Sequence, residues 1–312
     1  MKHLKGVLLV FFLVVCFTCL NGAESEVLYG VNQVKFPTSY GNIYVTLPDD
    51  MAIGDIISGR LFAASSGPTD KKRSQNEKRL KKYSVEIGGE KTAIGDNWGK
   101  WKIPPGEETS VKLLDPKGNI VDSIRVPMQS QPPPGKDKGF QCPSIAEAER
   151  PFHIFGLFNG DFSDTTVMMG DIELEKFAES PQCLIVESPG DVIGNTRLNY
   201  SEGNVKGTCE LRNISVHTSV GKDKLLEGEN TNLSVTIRGL EGLEEGLPLY
   251  IKNKTPKVVS VKGEGVIDIQ PKDVKTDGIF VYTTTVTGII PGNFRIFAGV
   301  LEETAPPAKK SD

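Results

Sequence analysis

Histidine is scarce in this sequence, and its scarcity bears on catalysis. The 312-residue chain contains three histidines, and only His153 and His217 lie beyond the first 23 residues. His153 falls inside an apolar stretch, which is typical of a packed or edge position, and His217 lies among small hydroxyl residues. The chain also lacks the GxSxG, HExxH and Walker patterns of common hydrolases, metalloproteases and nucleotide-binding loops. We therefore expect a protein that is not an enzyme, with no catalytic residues, no metal site and no cofactor.

Long apolar runs are rare as well, and the one run of this kind lies at the start of the chain. Residues 7–20 are predominantly apolar, Lys2 and Lys5 precede them, and Asn21-Gly22-Ala23 follows. This order is typical of a secretory signal, and the run is shorter than the roughly 20 residues that span a bilayer. We predict cleavage near Ala23 and a mature protein that is secreted, periplasmic or on the cell surface, with no transmembrane anchor.

Neither sign of charge dominates the chain, whose formal net charge is −4. A mild acidic balance predicts neither a nucleic-acid-binding protein nor an acidic tail. The exception is the basic segment 71–82, in which seven of 12 residues are cationic. It follows Pro68-Thr69-Asp70, which can open a helix, and its only large apolar residue is Leu80. We interpret it as a short surface helix or ordered loop with a solvated face; docking on an anionic surface, polysaccharide or nucleic acid is the alternative.

Alternation of apolar and polar residues is abundant. Ile43, Val45 and Leu47 would lie on one face of a strand, and residues 233–238 alternate in the same way. Turn-forming residues separate such runs, since the chain has 33 glycines and 20 prolines, and Asp115-Pro116-Lys117-Gly118 fits a type I turn. Short strands at this spacing predict an all-β chain of tandem immunoglobulin-like β-sandwich domains.

The strongest internal boundary is rich in proline. Pro132, Pro133 and Pro134 lie in a polar segment and cannot continue a strand ladder. A second boundary lies near residue 215, where the alternation breaks into glycine and charged residues. We predict a signal peptide at 1–23, sandwich domains at 24–128, 140–215 and 216–302, a linker at 129–139 and a disordered tail at 303–312.

The middle segment carries a series of short strand and bend motifs, at residues 152–162, 167–170, 178–186 and 188–194. They give a strand, a glycine-marked bend, a strand ending in glycine, a further strand, and Ser-Pro before an apolar strand. This order resembles the IPT/TIG family of immunoglobulin-like domains. The resemblance implies a β-sandwich within a bacterial secreted protein of such modules, with an adhesive, spacer or presentation role. It implies no catalytic residues.

Three cysteines, Cys142, Cys183 and Cys209, lie beyond the predicted signal. Their wide spacing excludes a CxxC metal or redox motif, and an oxidising compartment favours one disulfide and one remaining thiol. The first and last strands of immunoglobulin-like sandwiches are commonly neighbours, which slightly favours Cys142–Cys209. Cys183–Cys209 is nearly as favourable, and geometry decides, because a bridge requires Cα atoms within about 7 Å.

Aromatic side chains that could contact a ligand are few, and Trp98 and Trp101 are the only tryptophans. An exposed pair would offer a platform for a sugar ring or a peptide. Sandwiches usually bury tryptophan, and we favour that interpretation. Asn159 lies near two aspartates, Asp161 and Asp164, but the segment lacks the spacing of a calcium loop and is better explained as a turn.

These observations predict a secreted, non-enzymatic binding, adhesion or structural scaffold protein. The alternative is an accessory carbohydrate-binding or enzyme-associated secreted protein that uses Trp98 and Trp101. The partner would be a protein or a polysaccharide rather than a nucleic acid, and the oligomeric state stays open. Four asparagines, Asn199, Asn213, Asn232 and Asn253, fit the glycosylation sequon.

Overall fold

The computed structural model describes residues 24–28, 31–48, 51–106, 108–128, 140–159 and 165–301. Within these ranges the chain forms 25 strands and one α-helix, and strand pairing is antiparallel except at one short parallel pair. The all-β fold of tandem immunoglobulin-like sandwiches is therefore confirmed. The signal peptide, the linker and the tail that the sequence predicts lie outside the described residues, and they stay predictions.

The strands follow one another with short turns. The first unit (residues 24–128) contains β1 (Glu24–Leu28), β2 (Val31–Thr38), β3 (Gly41–Pro48), β4 (Ile56–Ser65), α1 (Asp70–Leu80), β5 (Ser84–Ile87), β6 (Glu90–Ala93), β7 (Trp98–Lys102), β8 (Glu108–Leu114) and β9 (Ile120–Pro127). The middle unit (residues 140–214) contains β10 (Ile145–Glu147), β11 (Pro151–Phe155), β12 (Thr165–Met169), β13 (Ile172–Glu173), β14 (Lys176–Glu179), β15 (Cys183–Glu187), β16 (Gly194–Glu202) and most of β17 (Val205–Val220). The third unit (residues 215–301) contains the end of β17, β18 (Lys224–Leu225), β19 (Asn230–Arg238), β20 (Leu247–Asn253), β21 (Val259–Val261), β22 (Gly265–Ile269), β23 (Phe280–Gly288), β24 (Gly292–Asn293) and β25 (Ile296–Gly299). Within the described residues, two short 3-10 helices cover Ile94–Asp96 and Pro271–Asp273.

Each unit has its own apolar core, and the period-2 alternation places its members. Ile43, Val45 and Leu47 are all fully buried in the first unit, as the sequence predicts. The cores of the middle and third units are built in the same way, because inward positions of facing strands meet between two sheets. Their members include Ile154, Leu184, Leu198, Leu233, Leu249 and Val286.

Two large sheets cross from one unit to the next. One has the order β1-β2-β3-β4-β14-β15-β11, with β7 also on β4, so the first and middle units share a sheet. The joining pairs are Ala178↔Gly59 and Glu179↔Ser58. A Cβ atom at Gly59 would lie 2.2 Å from the carbonyl oxygen of Thr46, so only glycine permits this packing. Beside the pairing, Arg60 forms an ion pair with Glu175 at 2.5 Å.

The second large sheet has the order β13-β12-β16-β17-β19-β23-β21, with β10 also on β17. Its central strand, β17, contains 16 residues and is about 50 Å long at the usual rise of a strand. Residues 205–213 pair with β16, and Ser215–Val220 pairs with β19. The boundary that the sequence suggests near residue 215 falls at this change of partner, inside a continuous strand. The three smaller sheets are β6-β5-β8-β9, β22-β20-β25 and β18-β24.

The predicted surface helix is α1, and it lies against β3 and β4. Thr69 caps it, since its hydroxyl accepts a hydrogen bond from the backbone N–H of Lys72 at 3.3 Å. Asn76 and Leu80 are its buried residues, and Asn76 Nδ2 donates to the carbonyl of Ser66 at 2.6 Å. No helix in the described ranges has the length and apolar character to cross a membrane.

Candidate functional site

The hairpin of β16 and β17 presents two different faces. It turns at Gly203, whose φ of 54° lies in the left-handed region that favours glycine. Inward positions such as Leu198, Tyr200 and Leu211 are buried in the core of the middle unit. The alternate residues of both strands point away from that core because side chains of a strand alternate between its faces.

The outward positions are almost all polar, and the strand register pairs them. The directly opposed pairs are Asn195↔Arg212, Arg197↔Glu210, Asn199↔Thr208 and Ser201↔Lys206. On the neighbouring strand β12, Thr166 lies opposite Ser201 and Met168 lies opposite Asn199. We call these ten residues the polar face. It spans about 20 Å along β16 and about 10 Å across three strands.

Two shallow clefts lie on the polar face. One has a volume of about 600 Å³, and Arg197, Glu210 and Arg212 line it together with Ser144. The other has a volume of about 440 Å³, and its lining includes Met168 of β12. Because both clefts are open and lie along one sheet surface, they suit an extended ligand better than a small enclosed one.

One end of the polar face is held rigidly by charge-assisted contacts. The guanidinium of Arg212 donates to the carbonyls of Gly239, Glu241 and Gly242 at 2.9, 2.8 and 3.2 Å. Arg197 Nη2 and Glu210 Oε1 form an ion pair at 3.1 Å. The three carbonyls fix the guanidinium of Arg212 before any ligand binds, whereas the Arg197–Glu210 pair is exposed to solvent.

The other end of the polar face is open to a ligand. In the described part of the chain, the side chains of Asn199, Ser201 and Thr208 make no hydrogen bond to the protein. An amide and two hydroxyl groups can both donate and accept hydrogen bonds. This set of side chains can therefore bind polar groups of either kind. The described residues contain no group of three or more potential metal ligands.

Aromatic rings pack on the inner side of the hairpin that carries the polar face. The rings of Phe140 and Tyr200 stack at 5.1 Å, and a Cβ atom at Gly207 would lie 2.6 Å from the Phe140 ring. The hydroxyl of Tyr200 donates to the carboxylate of Glu202. Burial and the neighbouring carboxylate raise the pKa of Tyr200 above its ordinary value, so the phenol stays neutral and remains a donor.

The disulfide lies in the same region. Cys142 and Cys209 are bonded, and their Cα atoms are 6.2 Å apart. The pairing that the sequence slightly favours is therefore confirmed, and the Cys183–Cys209 alternative is wrong. Cys183 lies outside the disulfide, fully buried on β15. The bond ties the segment before β10 to β17, and a structural disulfide is typical of proteins outside the reducing cytosol.

A buried carboxylate joins the middle and third units, and sequence reasoning did not identify it. Glu147 is 2% exposed, and its Oε2 accepts from the backbone N–H of Val300 at 3.1 Å. Its Oε1 pairs with Arg150, whose guanidinium lies 5.0 Å from the Phe297 ring. Burial raises the pKa of Glu147 to about 7, against the backbone N–H groups of Val300 and Leu301, which lower it.

The predicted ligand-contact aromatics do not form an exposed pair. Trp101 is fully buried in the core of the first unit, and Trp98 is only partly exposed. The reason is the strand period, since Trp101 falls on the inward side of β7. The two rings therefore do not form an exposed platform for a sugar, and Trp101 packs in the core.

The two histidines of the described residues lie on different strands, His153 on β11 and His217 on β17. His153 stacks on Phe155 at 5.8 Å and lines an apolar cleft of about 380 Å³ with Phe152 and Leu301. His217 is exposed on β17. The backbone N–H of Asn159 donates to Glu202 at 3.2 Å, whereas the two aspartates beyond it lie outside the described residues.

The four sequon asparagines divide into two pairs. Asn199 and Asn232 are exposed. Asn213 is fully buried, and its Nδ2 donates to the carbonyls of Pro189 and Val192 at 2.9 and 2.5 Å. Asn253 is also buried and donates to the carbonyl of Val259 at 2.7 Å. Of these four asparagines, only Asn199 and Asn232 are accessible to a glycan in the folded chain.

Comparison with known proteins gives no family. No family model matches the chain, and no curated protein matches it. Among solved structures it is similar to SGBP-B of a mixed-linkage glucan utilization locus from Bacteroides ovatus, bound to a heptasaccharide, at 10% identity over 87% of this chain and 82% of the other, with a TM-score of 0.25. SGBP-B of a Bacteroides uniformis xyloglucan locus also gives 10% identity and a TM-score of 0.25, over 90% and 100% of the two chains. An ectodomain fragment of ICAM-5 gives 10% identity and 0.22, over 83% of each chain. Likeness at this level concerns strand architecture and carries no statement about a ligand.

Proposed function

We propose that this chain is an exported, non-enzymatic binding scaffold whose polar face binds a neutral polysaccharide. The observation that carries the proposal is the ladder of opposed polar side chains on β16 and β17. Sugar hydroxyls both donate and accept hydrogen bonds, and the open end of the face offers groups that do the same. An IPT/TIG-type sandwich, which the middle segment resembles, would serve as the presenting module.

Charge and composition favour a neutral polysaccharide over a protein. The centres of protein interfaces are enriched in aromatic and other apolar residues, and among the ten residues of the polar face only Met168 is apolar. Two of its three cations are already engaged, Arg197 by Glu210 and Arg212 by three carbonyls. The face therefore supplies hydrogen bonds rather than a strong field.

The connections between the three units, which we call the joints, support a scaffold role. Strand pairing connects the three units: β4 of the first unit pairs with β14 of the middle unit, and β17 runs from the middle unit into the third. Backbone hydrogen bonds at both joints oppose rotation of the middle unit, so that the polar face keeps a fixed direction relative to its neighbours.

The test is titration of the mature chain, made in a host that does not glycosylate Asn199, with a panel of neutral glucans and mannans. We expect Asn199→Ala combined with Thr208→Ala to weaken binding by about tenfold, because two hydrogen bonds of about 0.5–1.5 kcal/mol each are lost. The matched control is Asn232→Ala with Thr283→Ala, an exposed asparagine and threonine of the third unit. Equal affinity of both double variants, release of sugar products, or binding of proteins alone would contradict the proposal.

A further inference from the structure

The helix α1 and the turn after it concentrate positive charge in an otherwise acidic chain. Residues 70–82 contain seven cationic and two anionic side chains, a local charge of +5, whereas the whole chain has a net charge of −4. All other residues together therefore carry −9. A field of this kind steers oppositely charged partners toward one place on the surface.

Burial of one side of the helix decides where the charge lies. Asn76 and Leu80 are buried against the first unit. At about 100° per residue, Lys71 and Lys78 lie within about 20° of each other and opposite Leu80. Lys82 continues the same line, since its backbone N–H donates to the carbonyl of Arg79 at 3.2 Å. These three lysines, which we call the ridge lysines, are exposed; Lys71 and Lys78 lie on the outer side of α1, and Lys82 lies in the turn after it.

The ridge lysines serve no internal contact. The two carboxylates of the helix are already paired, Asp70 with Arg73 and Glu77 with Lys81. Within the part of the chain that the structure describes, the ridge lysines form no ion pair. Lys71 lies in the first turn, where the helix dipole disfavours a cation, whereas Lys78 lies in the last turn, where the dipole favours one. Helix stability therefore does not explain Lys71.

The chemistry of the ridge selects among anionic partners. Helices that bind a membrane surface insert an apolar face, but the one large apolar residue of α1, Leu80, is buried. Proteins that bind single-stranded nucleic acid stack bases on aromatic rings, and α1 contains none. The ammonium group of lysine is a point charge and lacks the fork geometry of arginine. A row of point charges suits repeated anionic groups along a polymer.

We propose that the ridge lysines form a docking site for an acidic polysaccharide that carries carboxylate or sulfate groups. The site lies on the first unit and is separate from the polar face of the middle unit. The exported chain would then have two binding surfaces of different charge, one for neutral and one for acidic chains.

The experiment measures binding of the mature chain to heparin, polygalacturonate, dextran, single-stranded poly(dT) and phosphatidylserine vesicles over a range of salt concentrations. We expect the two acidic polysaccharides to bind more tightly than the other three probes, with an affinity that falls linearly with salt on logarithmic axes. The variant Lys71→Gln/Lys78→Gln/Lys82→Gln should bind them at least tenfold more weakly.

The control variant replaces three exposed lysines of the third unit, Lys257, Lys262 and Lys272, with glutamine. It has the same net charge as the ridge variant, so it separates a local site from an effect of overall charge. We expect it to bind within twofold of the natural chain. An equal loss in both variants, no loss in the ridge variant, absence of polysaccharide binding, or tighter binding of poly(dT) or vesicles would overturn the proposal. Thermal unfolding of both variants shows whether each is folded, and the polar-face variant should keep its heparin affinity.

Discussion

Titration of Glu147 should make the joint between the middle and third units depend on pH. Its pKa in the folded chain is about 7 because burial disfavours the charged carboxylate, against an ordinary value of 4.5. Between these two values the folded chain keeps the proton that the unfolded chain has lost. The stabilisation is thus fully present below about pH 4.5 and is lost as the pH rises through about 7.

The size of the effect follows from the shift. A difference of about 2.5 units corresponds to about 3 kcal/mol at 1.36 kcal/mol per unit. The ion pair with Arg150 favours the ionised carboxylate and opposes part of this change, so the figure is an upper bound. A Cβ atom at Gly299 would lie 3.0 Å from Glu147 Oε2, which leaves little room for a hydrating water to reduce the desolvation.

The assay is urea unfolding from about pH 5 to pH 8, together with amide hydrogen exchange of residues 296–301 corrected for intrinsic rates. Relative to Glu147→Gln, which cannot ionise, the natural chain should lose up to about 2.5 kcal/mol of unfolding free energy over this range, because part of the change lies below pH 5. The control, Glu264→Gln, removes an exposed carboxylate that also accepts a backbone hydrogen bond, from Asn253 at 2.8 Å. Its profile should follow that of the natural chain. Parallel profiles for the natural chain and Glu147→Gln would refute the reasoning.

Two further predictions concern the Cys142–Cys209 disulfide and the helix α1. Cys142→Ser should lower the unfolding free energy by up to about 4 kcal/mol, because the disulfide closes a long loop. Cys183→Ala, which leaves the disulfide intact, should lower it much less. An unchanged urea midpoint after reduction of the disulfide would contradict the first expectation. Leu80→Ala should cost about 2–5 kcal/mol, since the leucine anchors α1 in the core, whereas the triple ridge-lysine variant should change stability by less than about 1 kcal/mol in the same assay.

Local features of the structure could be predicted because their signals are local. The alternation of Ile43, Val45 and Leu47 places all three in the core, because the side-chain period of a strand is fixed by backbone geometry. The helix begins after Thr69 as its capping residue indicates, and it ends at Leu80, two residues before the predicted Lys82. The pairing of Cys142 with Cys209 is only slightly favoured by the sequence, because the two residues lie 67 positions apart and their distance in the fold decides it.

The joints and the polar face depend on partners that are distant in sequence. Ala178 pairs with Gly59 across 119 positions, and neither residue carries a pattern that indicates the other. Nothing in the sequence around Glu147 distinguishes it from a surface glutamate, and residues far along the chain, such as Gly299 and Val300, contact its carboxylate. The alternation of residues 195–201 does indicate a strand with one polar face, but the register that aligns it with residues 206–212 is a property of the hairpin.

The shared strand β17 ties the polar face to the third unit. Residues 205–213 hold β16 in place, and the next residues of the same strand pair with β19. Hydrogen bonds of a β-ladder tolerate little rotation, so a bend between the two units would break backbone pairs on one side of the strand. The disulfide fixes β17 from the opposite side, through the segment that leads into β10 and Glu147. Because the same short segment carries the disulfide and the buried carboxylate, reduction of Cys142–Cys209 should loosen the polar face and the joint together.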